Sequence, residues 1–147
     1  MYDVIKLANY VISFCVKNGN PISNLQLQKI LYYIQGYFYK HFEEFAFDED
    51  IVAWKLGPVV PDVYYEYNHY ISRPIKEEYK PCELPLILDS HRDVVDKVIL
   101  KKYKKSPWDL VNDTHSELPW KETKALGGIN SVIEKKLIIE YFENKDI

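Results

Sequence analysis

Four histidines, His41, His69, His91 and His115, are the side chains of this sequence best suited to moving protons near neutral pH or to holding a metal. None stands at the HExxH spacing from another histidine. The run Thr114-His115-Ser116-Glu117 holds the residue types of a nucleophile, base and acid. Chain neighbours point in different directions, and a triad is defined by spatial roles, so this run is not read as catalytic. Asp48-Glu49-Asp50 could face a cation, but no alternating oxygen ligands and distal Glu follow it, and a solvated turn is expected. The chain has no GxxxxGKS/T, GxGxxG or GxSxG loop. Lys97, Lys101, Lys102, Lys104 and Lys105 cluster near a helix C-terminus, where cations complement the dipole. A solvated helix end is favoured there over an anion-binding patch. Cys15 and Cys82 lack any CxxC or zinc spacing and read as reduced thiols. No catalytic residue, metal ligand or cofactor is assigned.

The composition narrows the function classes. A chain of 147 residues has the size of one domain, here taken as residues 1–147. It can bury about two thirds of its unfolded surface, so it needs no disulfide or metal to hold a core. Apolar residues make up 47%, yet no apolar run approaches the roughly 20 residues needed to span a bilayer. Met1-Tyr2-Asp3 lacks the basic start of a signal peptide, and a cytoplasmic location is expected. The net charge of −3 argues against nucleic acid as a partner, because phosphate neutralisation supplies most of such a binder's affinity. Thirteen tyrosines are more telling. Tyr offers a broad apolar face and one polar tip, which suits a protein interface as well as half-buried packing.

The periodicity describes a mainly α protein, a compact single-domain bundle of about six helices with a short extended segment near 51–55. The first helix runs from Tyr2 or Asp3 to Val16, and its wide apolar stripe places it near the centre of the fold. Asn18-Gly19-Asn20-Pro21 ends it. Ser23 with Gln26 forms a capping box before Leu27, Ile30, Leu31, Ile34 and Phe38, predicting a second helix to about Tyr39, with Gln28, Lys29 and Gln35 on its other faces. Ile51–Lys55 reads as a strand that Leu56-Gly57-Pro58 breaks, and Pro61-Asp62 starts a third helix reaching His69. From 71 to 89, Pro74, Pro81 and Pro85 interrupt any pattern, and a small hairpin there is left open. Ser90 is expected to cap a helix to Lys104, and Ser106-Pro107 another to Thr114. Pro119-Trp120 falls in a loop, and Ser131 with Glu134 begins the last helix. A strand beside helices also permits a winged-helix reading, but Lys29 and Lys40 are poor equipment for a groove reader.

Two blocks are more specific than any of this: Ile22-Ser23-Asn24-Leu25-Gln26-Leu27-Gln28-Lys29-Ile30-Leu31-Tyr32-Tyr33-Ile34-Gln35-Gly36, then Ala53-Trp54-Lys55-Leu56-Gly57-Pro58-Val59-Val60-Pro61-Asp62-Val63-Tyr64 after the acidic turn. Together they resemble the Panacea domain, the SocA-like or phage-associated GepA-type family, whose pattern is an LQKLLYY-AQG helix followed by AWxxGPVVPEVY. Ile30, Ile34 and Asp62 replace its Leu, Ala and Glu. Thr114-His115-Ser116-Glu117-Leu118-Pro119-Trp120 is similar to the family's TH…PW element, and Ile133–Phe142 to its terminal helix. The resemblance implies an antitoxin that neutralises a co-encoded toxin by direct binding, with delivery of that toxin to a AAA+ protease as the alternative. An enzyme is the third reading. Because the chain starts directly in the domain, repression of its own operon is not expected. Leu27, Leu31, Gly57, Pro58, Pro61 and Pro119 are expected to make the fold. Gln28, Lys29, Trp54, Tyr64, His115 and Trp120 are expected to reach either a buried network or the toxin.

Overall fold

Ser23 opens its helix as the spacing requires. In the computed structural model, which describes residues 1–147, the Ser23 hydroxyl accepts from the Gln26 amide and the Gln26 side chain accepts from the Ser23 amide. The helices are α1 Val4–Lys17, α2 Asn24–Phe42, α3 Pro61–Tyr67, α4 Asp89–Lys102, α5 Pro107–His115, α6 Leu118–Gly127 and α7 Lys135–Phe142. Strands β1 Val52–Trp54 and β2 Gly57–Val59 lie between α2 and α3.

The central element is α2 rather than α1. It packs against α1, α3, α4, α5, α7 and β2. Its whole middle is buried, including Tyr32, Tyr33 and the polar Gln28, Lys29 and Gln35. A helix can be buried on all sides only if its polar side chains find partners. Those of α2 find backbone. Gln35 donates to the Phe47 carbonyl at 2.8 Å and accepts from the Ala46 amide at 2.9 Å, so it pins the segment that leaves the helix. On another face, a Cβ at Gly36 would strike the ring of Phe142, which lets α7 seat directly on the α2 backbone. The Phe142 ring then meets Tyr32 and Tyr37 edge-on at 5.5 and 4.8 Å.

Four expectations change. Leu56-Gly57-Pro58 does not end the extended segment. Gly57, at φ +114°, turns the chain back, and β2 pairs antiparallel with β1 in the register Val52–Val59, Ala53–Pro58 and Trp54–Gly57. Pro58 is tolerated because β2 is an edge strand. The other edge of β1 takes 130–133: Ala53 donates to the Ser131 carbonyl at 2.9 Å, and Ile133 to that of Ile51 at 2.8 Å. Ser131 therefore does not begin the last helix; its hydroxyl donates to Gly127 at 2.7 Å, and α7 starts after Glu134.

Pro119-Trp120 is not a loop either. It forms the first turn of α6, a seventh helix, where a missing proline N–H removes no hydrogen bond. In α4 the capping position falls on Leu88, with no side-chain cap, and Asp89 opens the helix in a 2.9 Å contact with Arg92. Segment 71–89 holds no strand. Its prolines remove the donors a ladder needs, so single ties secure it: the Ile75 amide to the Ile22 carbonyl at 2.8 Å, and Asn9 to the Glu83 carbonyl at 2.9 Å. No helix is long and apolar enough to cross a membrane.

Candidate functional site

The signature residues converge on the β1–β2 hairpin. An edge strand leaves backbone groups unpaired, and here α2 satisfies them with side chains instead of a third strand. The Lys29 ammonium donates to the Pro58 carbonyl at 3.1 Å, and the Gln28 carbonyl oxygen accepts from the Val60 amide at 2.9 Å. The Gln28 amide donates to Asn24 at 2.9 Å, and Asn24 in turn donates to the Tyr64 carbonyl at 3.1 Å, which ties α3 into the same row. Gln28 and Lys29 are fully buried. No carboxylate pairs with Lys29, and burial pulls its pKa down to about 7.

Gly57 belongs to this clamp. A Cβ there would stand 2.7 Å from Lys29 Cε and 2.8 Å from Thr114 Oγ1. The hairpin can close onto α2 and α5 only because this residue has no side chain. Leu27, Leu31, Gly57, Pro58 and Pro119 are all buried, and Pro61 opens α3.

On the far side of the hairpin, α5 and α6 hold its turn. The His115 Nε2 lies 3.0 Å from the Lys55 carbonyl, so that nitrogen carries the proton and donates it. Burial, with Lys29 and Lys124 nearby, keeps the His115 pKa below the ordinary histidine range against the opposing pull of that carbonyl. The neutral ring stacks on Trp120 with centroids 3.9 Å apart and planes at 21°. Trp120 itself donates from Nε1 to the Trp54 carbonyl at 2.9 Å. The Trp54 ring packs edge-on against Tyr64 at 4.8 Å.

All six proposed contact residues therefore surround one hairpin. They divide by exposure: Gln28, Lys29 and Trp120 are buried, although the Trp120 ring borders an open basin with Lys55 and Lys124, whereas Trp54, Tyr64 and His115 are half-buried.

Sequence reasoning missed two further groups. Glu117 lies half-buried, with its two carboxylate oxygens accepting from Tyr32 at 2.9 Å and Tyr33 at 2.7 Å. Burial raises its pKa against the lowering effect of those two hydrogen bonds and of Lys102, whose ammonium sits 4.0 Å from the Tyr33 ring centre. The Tyr32-Tyr33 pair in α2 was visible, but nothing marked Glu117 as its acceptor. The second group is apolar. Leu56, Ile71 and Trp108 are exposed and line one cleft. The Ser106-Pro107 cap, whose hydroxyl accepts from the Asp109 amide at 3.1 Å, signals where α5 begins but not that Trp108 faces solvent.

A family model described as "Antitoxin SocA-like, Panacea domain" matches residues 27–121, a span that holds every residue of the clamp except Asn24. The chain belongs to this antitoxin family. Antitoxin SocA of Caulobacter vibrioides is 32% identical over 129 residues, which covers 80% of this chain and 68% of that protein. No solved structure gives a significant match.

Proposed function

We propose that this antitoxin neutralises a cognate toxin by stoichiometric contact in the cytoplasm, masking the toxin instead of transforming it. The observation that carries this reading is the way the hairpin is held. Polar side chains of α2, α5 and α6 fix its backbone, and exposed apolar residues surround the turn they fix, with Trp108 at 61% and Ile71 at 78% exposure. Rigid presentation of exposed aromatic and aliphatic groups is what a protein-binding face requires. Trp54, Tyr64, His115 and Trp120 form the wall of that face, and Gln28 and Lys29 support it from within.

Co-expression with the polypeptide encoded beside this chain tests the proposal. Growth should be rescued, and the two chains should elute together at a fixed ratio in gel filtration. No rescue and no complex would remove it. Toxin lifetime separates masking from delivery to a AAA+ protease: masking leaves toxin abundance unchanged, and delivery shortens it in a protease-dependent way. An enzymatic role predicts instead that replacing His115 or Trp120 abolishes rescue while the complex persists.

A further inference from the structure

Three clefts meet at the hairpin turn. The first, about 540 Å³, runs between Leu25, Leu56 and Tyr64 on one side and Ile71 and Trp108 on the other. A second of about 150 Å³ shares Leu25, Leu56 and Tyr64 with it and continues past Trp54 to Lys55. The third, about 510 Å³, shares Lys55 and is completed by His115, Trp120, Lys124 and Ile129. Leu56 links the first cleft to the second and Lys55 the second to the third, so the three form a row around the hairpin turn, here called the trough.

Its two ends differ in chemistry. The first cleft has no charged residue in its lining; its polar groups are hydroxyls and amides such as Asn68 and Ser72. The third has two lysines and no acid. Lys55 and Lys124 take no part in the ion pairs of the structure, and the Lys124 ammonium lies 5.2 Å from the Trp120 ring centre. These two lysines make this end of the row locally basic on a chain of net charge −3, which favours an acidic group in a partner. One wall of the apolar end is also strained. Ile71 sits at φ +60° and ψ −112°, a conformation that a β-branched residue rarely adopts, and there it is 78% exposed. Stored strain that holds an aliphatic side chain in water points to a contact made by that side chain.

We infer that the trough receives one segment of the toxin, a bulky apolar side chain entering between Leu56, Ile71 and Trp108 and a carboxylate reaching Lys55 and Lys124. The inference rests on the antitoxin reading above. Charge complementarity sets the acidic end of the segment, and the uncharged lining sets the apolar end.

The test measures affinity of the full chain for the polypeptide encoded beside it, at low and high salt, with melting temperatures for every variant. Trp108→Ala should weaken binding about 30-fold or more, as for a central aromatic anchor. Lys55→Glu with Lys124→Glu should weaken it about tenfold or more at low salt, with a smaller loss at high salt. Ile71→Gly is the most discriminating variant: it removes the strain, so the melting temperature should hold or rise while affinity falls. Wild-type affinity in all three variants would place the interface elsewhere, overturning the trough while leaving the antitoxin reading intact. A wild-type chain with no affinity for that polypeptide would overturn both. A concentration-dependent dimer of this chain that Trp108→Ala abolishes would make a second copy the occupant and also overturn the inference.

Discussion

The two sides of the hairpin obey different rules. Its inner edge is closed: the Pro58 carbonyl and the Val60 amide each have a buried side-chain partner, and no space remains for a Cβ at Gly57. Its turn is open: Lys55 and Leu56 are exposed, Leu56 bordering the first two clefts and Lys55 the last two. Polar residues in a signature are easily taken for contact residues. Here the most deeply placed of them, Gln28 and Lys29, make the platform, and a binding specificity can be written on the turn without disturbing it.

The sharpest way to break the closed side is Gly57→Ala. The new methyl meets Lys29 and Thr114 at a positive φ that alanine resists, so strain and overpacking add. Destabilisation of about 3 kcal/mol is expected, a fall of roughly 10 °C in melting temperature for a chain of this size. A change below about 1 kcal/mol would mean that the hairpin is not clamped. Gln28→Ala comes next. It leaves the Val60 amide buried without a partner and opens a cavity, for about 2–3 kcal/mol by chemical denaturation.

Lys29 gives a subtler test. Its folded pKa, about 7, lies below the ordinary lysine value that the unfolded chain keeps. The unfolded state therefore binds more protons between these values, and stability rises with pH across that window. This contribution is complete above the unfolded value and is lost as pH falls towards 7. Lys29→Met keeps the stem and removes the charge. Wild-type stability should climb between pH 7 and 9 by up to about 1.4 kcal/mol per unit, and the variant's curve should be flatter. Parallel curves would show that the ammonium is not desolvated. Glu117 acts in the opposite sense: its raised pKa favours the folded state below the ordinary glutamate value, and that contribution fades as pH rises through its folded pKa.

These contrasts also explain what could be read from the chain. The cap at Ser23 and the start of α5 at Ser106-Pro107 are local signals, and both hold. The strand β2 was hidden because Gly57-Pro58 reads as a breaker when its partner edge is unknown. Helix α6 was hidden because Pro119 looks like a loop residue until its position in the first turn is seen. Gln28, Lys29 and Gln35 fall outside the apolar stripe on a helix wheel, and their partners could not be read, since these acceptors and donors lie on backbone 11 to 32 residues away and have no sequence signature. The hairpin block itself was legible only as a family pattern, without the physical reason that joins its parts.

Leu56→Ser should have the smallest effect on the fold and so sharpens the open side most. Leu56 is 38% exposed and belongs to no clamp, so its loss should change stability by no more than about 0.5 kcal/mol. It nevertheless stands at the junction of the two apolar clefts, where a toxin side chain would bury it further. Replacing a buried aliphatic by a hydroxyl removes its transfer free energy and leaves a polar group without a partner, together about 2 kcal/mol, or roughly 30-fold in affinity. The expected pair of results is an unchanged melting curve and a weakened complex. The reverse pair, a lower melting temperature with full affinity, would assign Leu56 to the scaffold and move the dividing line between platform and contact one residue outward.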